Sequence, residues 1–234
     1  MFFKFNINLK KICLNMFDKI KLLQKKGYVP NAILDIGAYK GFWTEQMYPI
    51  YKNSEYYLFE AINYTDLDRY KSVPNIHVYK NVLLNDKIEV VDWYEKQNTG
   101  DSFFKEKTHL FTSCKPIKKF TIDLDTFIKQ KNILQNINHI LIKIDCQGAE
   151  INILKGATSL LQNTDFIILE MPLFGQYNEG VPNFLTHIQF MDSIGFIPYD
   201  IIDNHYINDF NMQVDILFIN KNHEFNTIVH DLLL

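Results

Sequence analysis

The chain has 234 residues, 47% hydrophobic, 15% aromatic and 22% charged, which is enough apolar surface for one ordered domain and argues against a disordered chain. Its net charge of −3, with lysines and acids interspersed, leaves no basic stripe, so nucleic acid is not an expected partner. Three cysteines, Cys13, Cys114 and Cys146, are odd in number and unpatterned, which argues against a disulfide or zinc framework and points to a reducing compartment, the cytoplasm. Phe2, Phe3 and Phe5 are interrupted by Lys4, Lys10 and Lys11, so neither a secretory signal nor a membrane span is expected.

In chain order, the apolar positions within 7–26 predict an amphipathic helix packed on the domain and ending at Lys26-Gly27 before Pro30. A basic membrane-surface helix is the rarer use of such a pattern. Ile33-Leu34-Asp35-Ile36 then reads as a strand, followed by Gly37-Ala38-Tyr39-Lys40-Gly41 and a helix of about ten residues broken near Pro49. Here Gly37 permits a sharp turn and close approach of a ligand, Gly41 permits close packing of the helix, and the helix start offers free N–H groups. The pattern Asp-x-Gly-x-x-x-Gly is not the Gly-x-Gly-x-x-Gly of dinucleotide folds.

A second strand, Glu55–Glu60, also ends in an acid, and Glu60 follows Asp35 by 25 residues, the span of one strand–helix–strand unit. An acid there can hold both hydroxyls of a ribose. A helix near 65–72 and a strand 76–80 continue the alternation, with Asn81-Val82 where an adenine would lie. Residues 86–122 change character and predict a β-hairpin insertion, the kind of loop that covers a substrate site. Ile122–Lys131 reads as a short helix started by Asp123 or Asp125, and Ile140–Asp145 as a buried strand containing Lys143. Cys146-Gln147-Gly148-Ala149-Glu150 opens a helix running to Leu161, Phe166–Glu170 is a further strand, and a helix covers 183–194. Residues 197–203 and 214–219 read as an antiparallel closing pair.

Four strands therefore end in acids: Asp35, Glu60, Asp145 and Glu170. An open parallel sheet gathers its strand ends on one edge, where ligands bind. Clustered carboxylates repel one another unless a cationic or hydroxyl-bearing group lies between them. A sulfonium ligand with an amino-acid tail and a ribose meets that need, which implicates S-adenosylmethionine.

Asp35-Ile-Gly37-Ala38…Gly41, the Glu60 strand end, Lys143-Ile-Asp145-Cys-Gln147-Gly148-Ala149-Glu150…Lys155-Gly156-Ala157 and Val214-Asp215-Ile-Leu-Phe218 together resemble the FkbM family of class I S-adenosylmethionine-dependent methyltransferases. The similarity runs from about Ala32 to Asn220, and the Lys-Ile-Asp-x-Gln-Gly-Ala-Glu block is its specific part. The resemblance implies a Rossmann-like α/β fold, with a mostly parallel seven-stranded sheet, helices on both faces and an antiparallel last strand. It also implies Asp35, Gly37, Ala38 and Glu60 at the cofactor, with Asp145 beside its methionine end. Family members act on hydroxyls, often of sugars in glycan or polysaccharide pathways. Tyr39 departs from the small or amide residue usual at its position.

The cofactor-binding candidates are thus Asp35, Gly37, Ala38, Gly41, Glu60, Asn81 and Asp145. Asp145, Glu150 and Glu170 are the candidates for general base or substrate orientation. Lys143 reads most simply as the ion-pair partner of one of these acids, or else as a stabiliser of a developing alkoxide. His187 reads as structural or as reaching the substrate side, Cys146 as packing, and Tyr177 and Asn178 as substrate contacts or a plain turn. No histidine pair or spaced ligand set marks a metal site. The expected organisation is an N-terminal helix over 1–30, one methyltransferase domain over 31–222 and a tail over 223–234. The expected partner is a small-molecule or glycan acceptor with a free hydroxyl. The rival readings are an NAD-dependent nucleotide-sugar oxidoreductase or epimerase, and a non-catalytic Rossmann-like binding module.

Overall fold

The strand β1 (Ala32–Ile36) lies at the centre of the sheet, and all five of its residues are buried. It pairs in parallel with β2 (Glu55–Glu60) on one side and, across five intervening strands of the chain, with β7 (Ile140–Ile144) on the other. A strand covered on both faces must be apolar on both, which is why these segments read as continuous Ile/Leu runs. Successive side chains enter opposite layers: Ala32, Leu34 and Ile36 join one core cluster, and Ile33 joins the other. The computed structural model describes residues 14–174 and 178–226.

The remaining strands of the main sheet are β3 (Ile76–Lys80), β8 (Thr164–Pro172), β9 (Phe196–Ile207) and β10 (Phe210–Asn220). The order is β3-β2-β1-β7-β8-β10-β9, with β10 antiparallel to both of its neighbours. The expected seven-stranded, mostly parallel sheet is therefore present. Its last two strands are longer than the sequence suggested. Asn208 and Asp209 both take positive φ, 47° and 66°, and close a tight hairpin between them. The added residues of the hairpin mix polar side chains with exposed Tyr206, Ile207 and Phe210, so no buried-face alternation announced them.

Helix α1 (Met16–Lys25) packs Met16, Ile20 and Leu23 into the second core cluster. It starts later than the apolar pattern suggested, because Asn15 caps it by accepting from the Asp18 amide at 2.9 Å. The part of that expectation covering 7–13 lies outside the described residues. Helix α2 (Phe42–Met47) is a single short stretch behind Gly41, and residues Thr65–Ser72 form a 3-10 helix. The helix α3 (Leu124–Lys131) is capped by Asp123, whose carboxylate accepts from the Thr126 amide. Helix α4 (Glu150–Lys155) stops at Gly156, short of the expected Leu161, and a 3-10 turn over Leu160–Asn163 follows. Helix α5 spans Phe184–Ser193 behind an Asn183 cap.

Residues 83–122 form a small second sheet. In it β6 (Ile117–Ile122) pairs antiparallel with β5 (Val90–Trp93) and parallel with β4 (Leu83–Leu84). The long β5–β6 connection is held by its own polar groups: Asp101 accepts from the amides of Lys96 and Asn98. Ser102 ties it to the main sheet by donating to the Gln147 carbonyl at 3.0 Å. Among the described residues no helix is long and apolar enough to cross a membrane.

Candidate active site

Register builds the first part of the site. Asp35 and Lys143 are cross-strand partners on β1 and β7, so both point into the same layer. The Lys143 ammonium lies 3.6 Å from Asp35 Oδ1 and 3.3 Å from Asp145 Oδ2, and it also donates to the Gly37 carbonyl. Asp35 is fully buried, and its second oxygen accepts from the Thr44 hydroxyl at 2.7 Å. Burial pushes the Asp35 carboxyl up, against the pull of Lys143. Burial also works against the Lys143 charge, but the two carboxylates more than offset it and raise the lysine above its usual value. The lysine is thus a fixed charge that locks the strand ends together, the simpler of the two roles expected for it.

Above this pair runs the turn Gly37–Gly41. Gly37 and Ala38 both donate their amides to the Phe59 carbonyl. Gly37 has φ +75°, and a Cβ there would run into the Asp145 carbonyl oxygen, so the turn demands glycine. Tyr39 adopts φ +50° and donates its amide to Glu60 Oε2 at 2.7 Å, while its ring packs edge-on against Tyr64. The Ile62 amide donates to the other Glu60 oxygen at 2.9 Å. Burial nevertheless pushes the Glu60 carboxyl up to about 7.

These residues border a cleft at the carboxyl ends of β1, β2 and β7, with about 670 Å³ of empty space, partly open to solvent. Gly37, Glu60 and Asp145 line it; Tyr39 also borders it, so its bulk shapes this space rather than pointing away. Val82, Leu83, Leu84 and Phe103 give the cleft apolar lining, and Asp145 with Gln147 polar lining. Trp93, Asn98, Thr99 and Asp101 show that the small sheet and its long connection wall the cleft. Of the other residues expected at a cofactor, Asp35 is buried beneath the turn, and Ala38 and Gly41 belong to the turn without lining the cleft. Asn81 is exposed over a neighbouring depression, with Val82 taking the place facing the cleft.

Beyond Asp145 the polar groups continue away from the cleft. Gln147, at φ +52°, donates to Asp145 Oδ1 at 3.3 Å and to Glu170 Oε2 at 2.9 Å. Glu170 also hydrogen-bonds Asp145, and burial together with the Asp145 and Asp215 charges pushes its carboxyl well up. Burial opposes the Asp145 charge too, but Lys143 and its hydrogen bonds hold that carboxyl below its usual range. His205 follows, 4.0 Å from Glu170 and 2.9 Å from Asp215. The hydrogen bond to Asp215 raises the imidazole above its usual value, with burial opposing. Glu150 sits to one side, off the main cleft. Its Oε1 accepts from the amides of Cys146 and Gly148, and burial pushes it up to about 7.

The other candidates separate clearly. His187 is fully buried on α5, bonded to the Asn183 carbonyl and lowered by burial, which is a structural placement. Cys146 borders the cleft with its thiol pushed well up by burial, so it packs rather than reacts. Asn178 is buried and donates to the Phe104 carbonyl, pinning the loop it sits in, and Tyr177 lies outside the described residues. Sequence reasoning assigned no role to Gln147, Tyr64, His205 or Asp215. Gln147, inside the Lys-Ile-Asp-x-Gln-Gly-Ala-Glu block, and Asp215, inside the Val-Asp-Ile-Leu-Phe stretch, carried a signal.

The cleft suits S-adenosylmethionine on its own chemistry: a carboxylate for vicinal hydroxyls, an apolar slot for a flat base, and Asp145 for a cationic end. The Tyr64 hydroxyl, which is buried and without a partner, borders the same space.

Comparison with known proteins agrees. A methyltransferase FkbM from Methylobacillus flagellatus superposes with a TM-score of 0.50 at 13% identity, over 80% of this chain and 43% of that one. This chain therefore spans less than half the length of that relative. A precorrin-6y C5,15-methyltransferase from Geobacter metallireducens gives 0.45 at 11% identity, over 87% of each chain. The 1,6-didemethyltoxoflavin-N1-methyltransferase of Burkholderia thailandensis gives 0.47 at 8% identity, over 88% of this chain and 79% of that one. Comparison with curated protein sequences gives no match. The Methyltransferase FkbM domain matches residues 35–198, most of the chain, which sets aside the dinucleotide reading. The chain belongs to the FkbM methyltransferase family, whose cofactor is S-adenosylmethionine.

Proposed function

We propose that this protein is an O-methyltransferase acting on a hydroxyl, most simply of a sugar in glycan or polysaccharide biosynthesis. The observation that carries the reading is the Asp145–Gln147–Glu170 string, which runs from the polar end of the cleft toward the open edge of the sheet. S-adenosylmethionine supplies an electrophilic methyl group when bound. The chain's own residues position both partners. Glu60 accepts from ribose hydroxyls through oxygen lone pairs left over by the Tyr39 and Ile62 amides. Lys143 fixes Asp145 at the other end of the cleft. An acceptor hydroxyl needs a group that orients it and takes its proton as the new bond forms, and Asp145 and Glu170 are carboxylates in reach of one edge. Glu150, already engaged by two amides, supports the loop in this scheme. We further propose that one methyltransferase unit spans 31–222, that the protein works in the cytoplasm, and that its partners are small or glycan acceptors rather than nucleic acid or membrane.

The test is methyl transfer from isotopically labelled S-adenosylmethionine to a panel of sugars and other alcohols, with S-adenosylhomocysteine release as readout. Glu170→Gln is expected to lower kcat by about 10²–10⁴, the usual contribution of a positioned acid–base group. It should leave S-adenosylhomocysteine affinity unchanged. Transfer to nitrogen acceptors only, or full activity in Glu170→Gln, would overturn the reading.

A further inference from the structure

Three strands bring metal-ligating chemistry together beside the acceptor edge. Glu170 on β8 and Asp215 on β10 are register partners, and His205 on β9 pairs with Gln213, two residues from Asp215. With a side-chain period of two, Glu170, Asp215 and His205 all project from the same face. One ligand atom from each lies within 4.8 Å of the others, with His205 Nε2 at 2.9 Å from Asp215 Oδ2 and 4.0 Å from Glu170 Oε1. Metal–ligand bonds of about 2.0–2.2 Å put donor atoms about 3–4 Å apart, so this spacing needs little adjustment. The two carboxylate side chains are 10% exposed and the imidazole 41%, which leaves a buried floor and one open side.

A second observation points the same way. Glu150 is 1% exposed, and its Oε2 is buried with no hydrogen-bond partner. Glu150 lines, together with Glu170 and Gln213, a cavity of about 20 Å³. That is room for one water. A water bound to an ion at the triad could donate to the Glu150 oxygen, as outer-shell carboxylates do around metal centres. The nearest lysine, Lys143, is already bound to Asp35 and Asp145.

We propose that Glu170, His205 and Asp215 form a binding site for a divalent transition-metal cation. One imidazole with two carboxylates favours Mn²⁺, Fe²⁺ or Zn²⁺ over the all-oxygen preference of Mg²⁺ and Ca²⁺. An acceptor hydroxyl entering on the open side would be held and acidified by the ion. That role rests on the O-methyltransferase reading; the binding of the ion does not.

The test is titration of Mn²⁺ into the chelator-treated full chain, followed by calorimetry and by loss of the free Mn²⁺ spin-resonance signal. One ion per chain is expected. His205→Gln and Asp215→Asn should each weaken it by about tenfold or more, since even outer-shell losses cost that much. Asp68→Asn, which disturbs a surface acid paired with Lys80, should leave it unchanged. Zn²⁺ should compete. Spin-echo detection of a nitrogen ligand on bound Mn²⁺ in the unaltered protein tests the histidine without any substitution. S-adenosylhomocysteine binding by each variant reports on the fold and on the cofactor site separately. No saturable Mn²⁺ binding, no nitrogen ligand, or undiminished binding in a correctly folded His205→Gln overturns the metal site and leaves methyl transfer standing. Mn²⁺ binding without methyl transfer to any hydroxyl supports the site and removes only its proposed role.

Discussion

At the β1–β7 half of the carboxyl edge, Asp35 and Asp145 share a buried lysine, and Glu60 has two backbone amides. At the β8–β10 half, Glu170 and Asp215 share one partly exposed histidine, and Glu170 also accepts from Gln147. Both halves are acidic, but only the first is neutralised from within. Internal neutralisation makes a rigid frame for a turn; incomplete neutralisation leaves a place for something brought from outside. Gln147 joins the two, touching an acid of each.

The sharpest way to break this comparison is Lys143→Ala. It strips the first half of its cation and leaves two carboxylates facing each other, one of them fully buried. Removing one partner of a buried ion pair costs about 3–5 kcal/mol, which should appear in chemical denaturation. His205→Gln in the second half should cost far less, because the imidazole it replaces is itself partly exposed.

The next effect is a pH dependence. Glu60 and Glu150 both have folded values near 7 against ordinary values of 4.5. Between those values the folded state holds protons that the unfolded chain has released. The resulting stability is fully present below about pH 4.5 and lost as pH rises through 7, on the order of 3 kcal/mol for each carboxyl. Cofactor-free protein should therefore melt lower at pH 8 than at pH 5. Glu60→Gln and Glu150→Gln should each flatten part of that slope, one from each side of the comparison.

A smaller effect concerns binding. If ionised Glu60 receives the ribose hydroxyls, S-adenosylhomocysteine affinity should weaken as pH falls below about 7, because the carboxyl must first lose its proton. Glu60→Gln should abolish that dependence and cost about 1.5–3 kcal/mol of binding at pH 8, the worth of hydrogen bonds to a charged group. Calorimetric titration at several pH values reads both. The smallest is a baseline outside both halves: Asp123→Ala removes the α3 cap, costs about 1 kcal/mol of stability and should leave cofactor affinity unchanged.

Much of this architecture could be read from local chemistry. Continuous apolar runs closed by an acid marked β1, β2, β7 and β8, because strands buried on both faces can be nothing else. Gly37 was readable because its turn admits no Cβ, and the acid-and-glycine block after β7 carried the family likeness. Two kinds of feature were not readable. The outer parts of β9 and β10 mix polar residues with exposed Tyr206, Ile207 and Phe210, so their pairing depends on the Asn208-Asp209 hairpin rather than on a buried face. The Glu170–His205–Asp215 group draws on three strands, 35 and 10 residues apart, and no motif spacing could bring it into view. Asn81 misled for a related reason: its position was right to within one residue, but its left-handed backbone turned it outward and gave the cleft to Val82.

The cross-strand pairing of Asp35 with Lys143 also has a consequence for descent. Lys143 changed alone leaves the buried Asp35 carboxylate unmatched between two core layers, whereas Asp35 changed alone leaves Lys143 its bond to Asp145. The two positions meet across neighbouring strands although they stand 108 residues apart. Among divergent relatives they should be exchanged together or kept together, and a library randomising both at once should recover apolar pairs that no single-site scan would find.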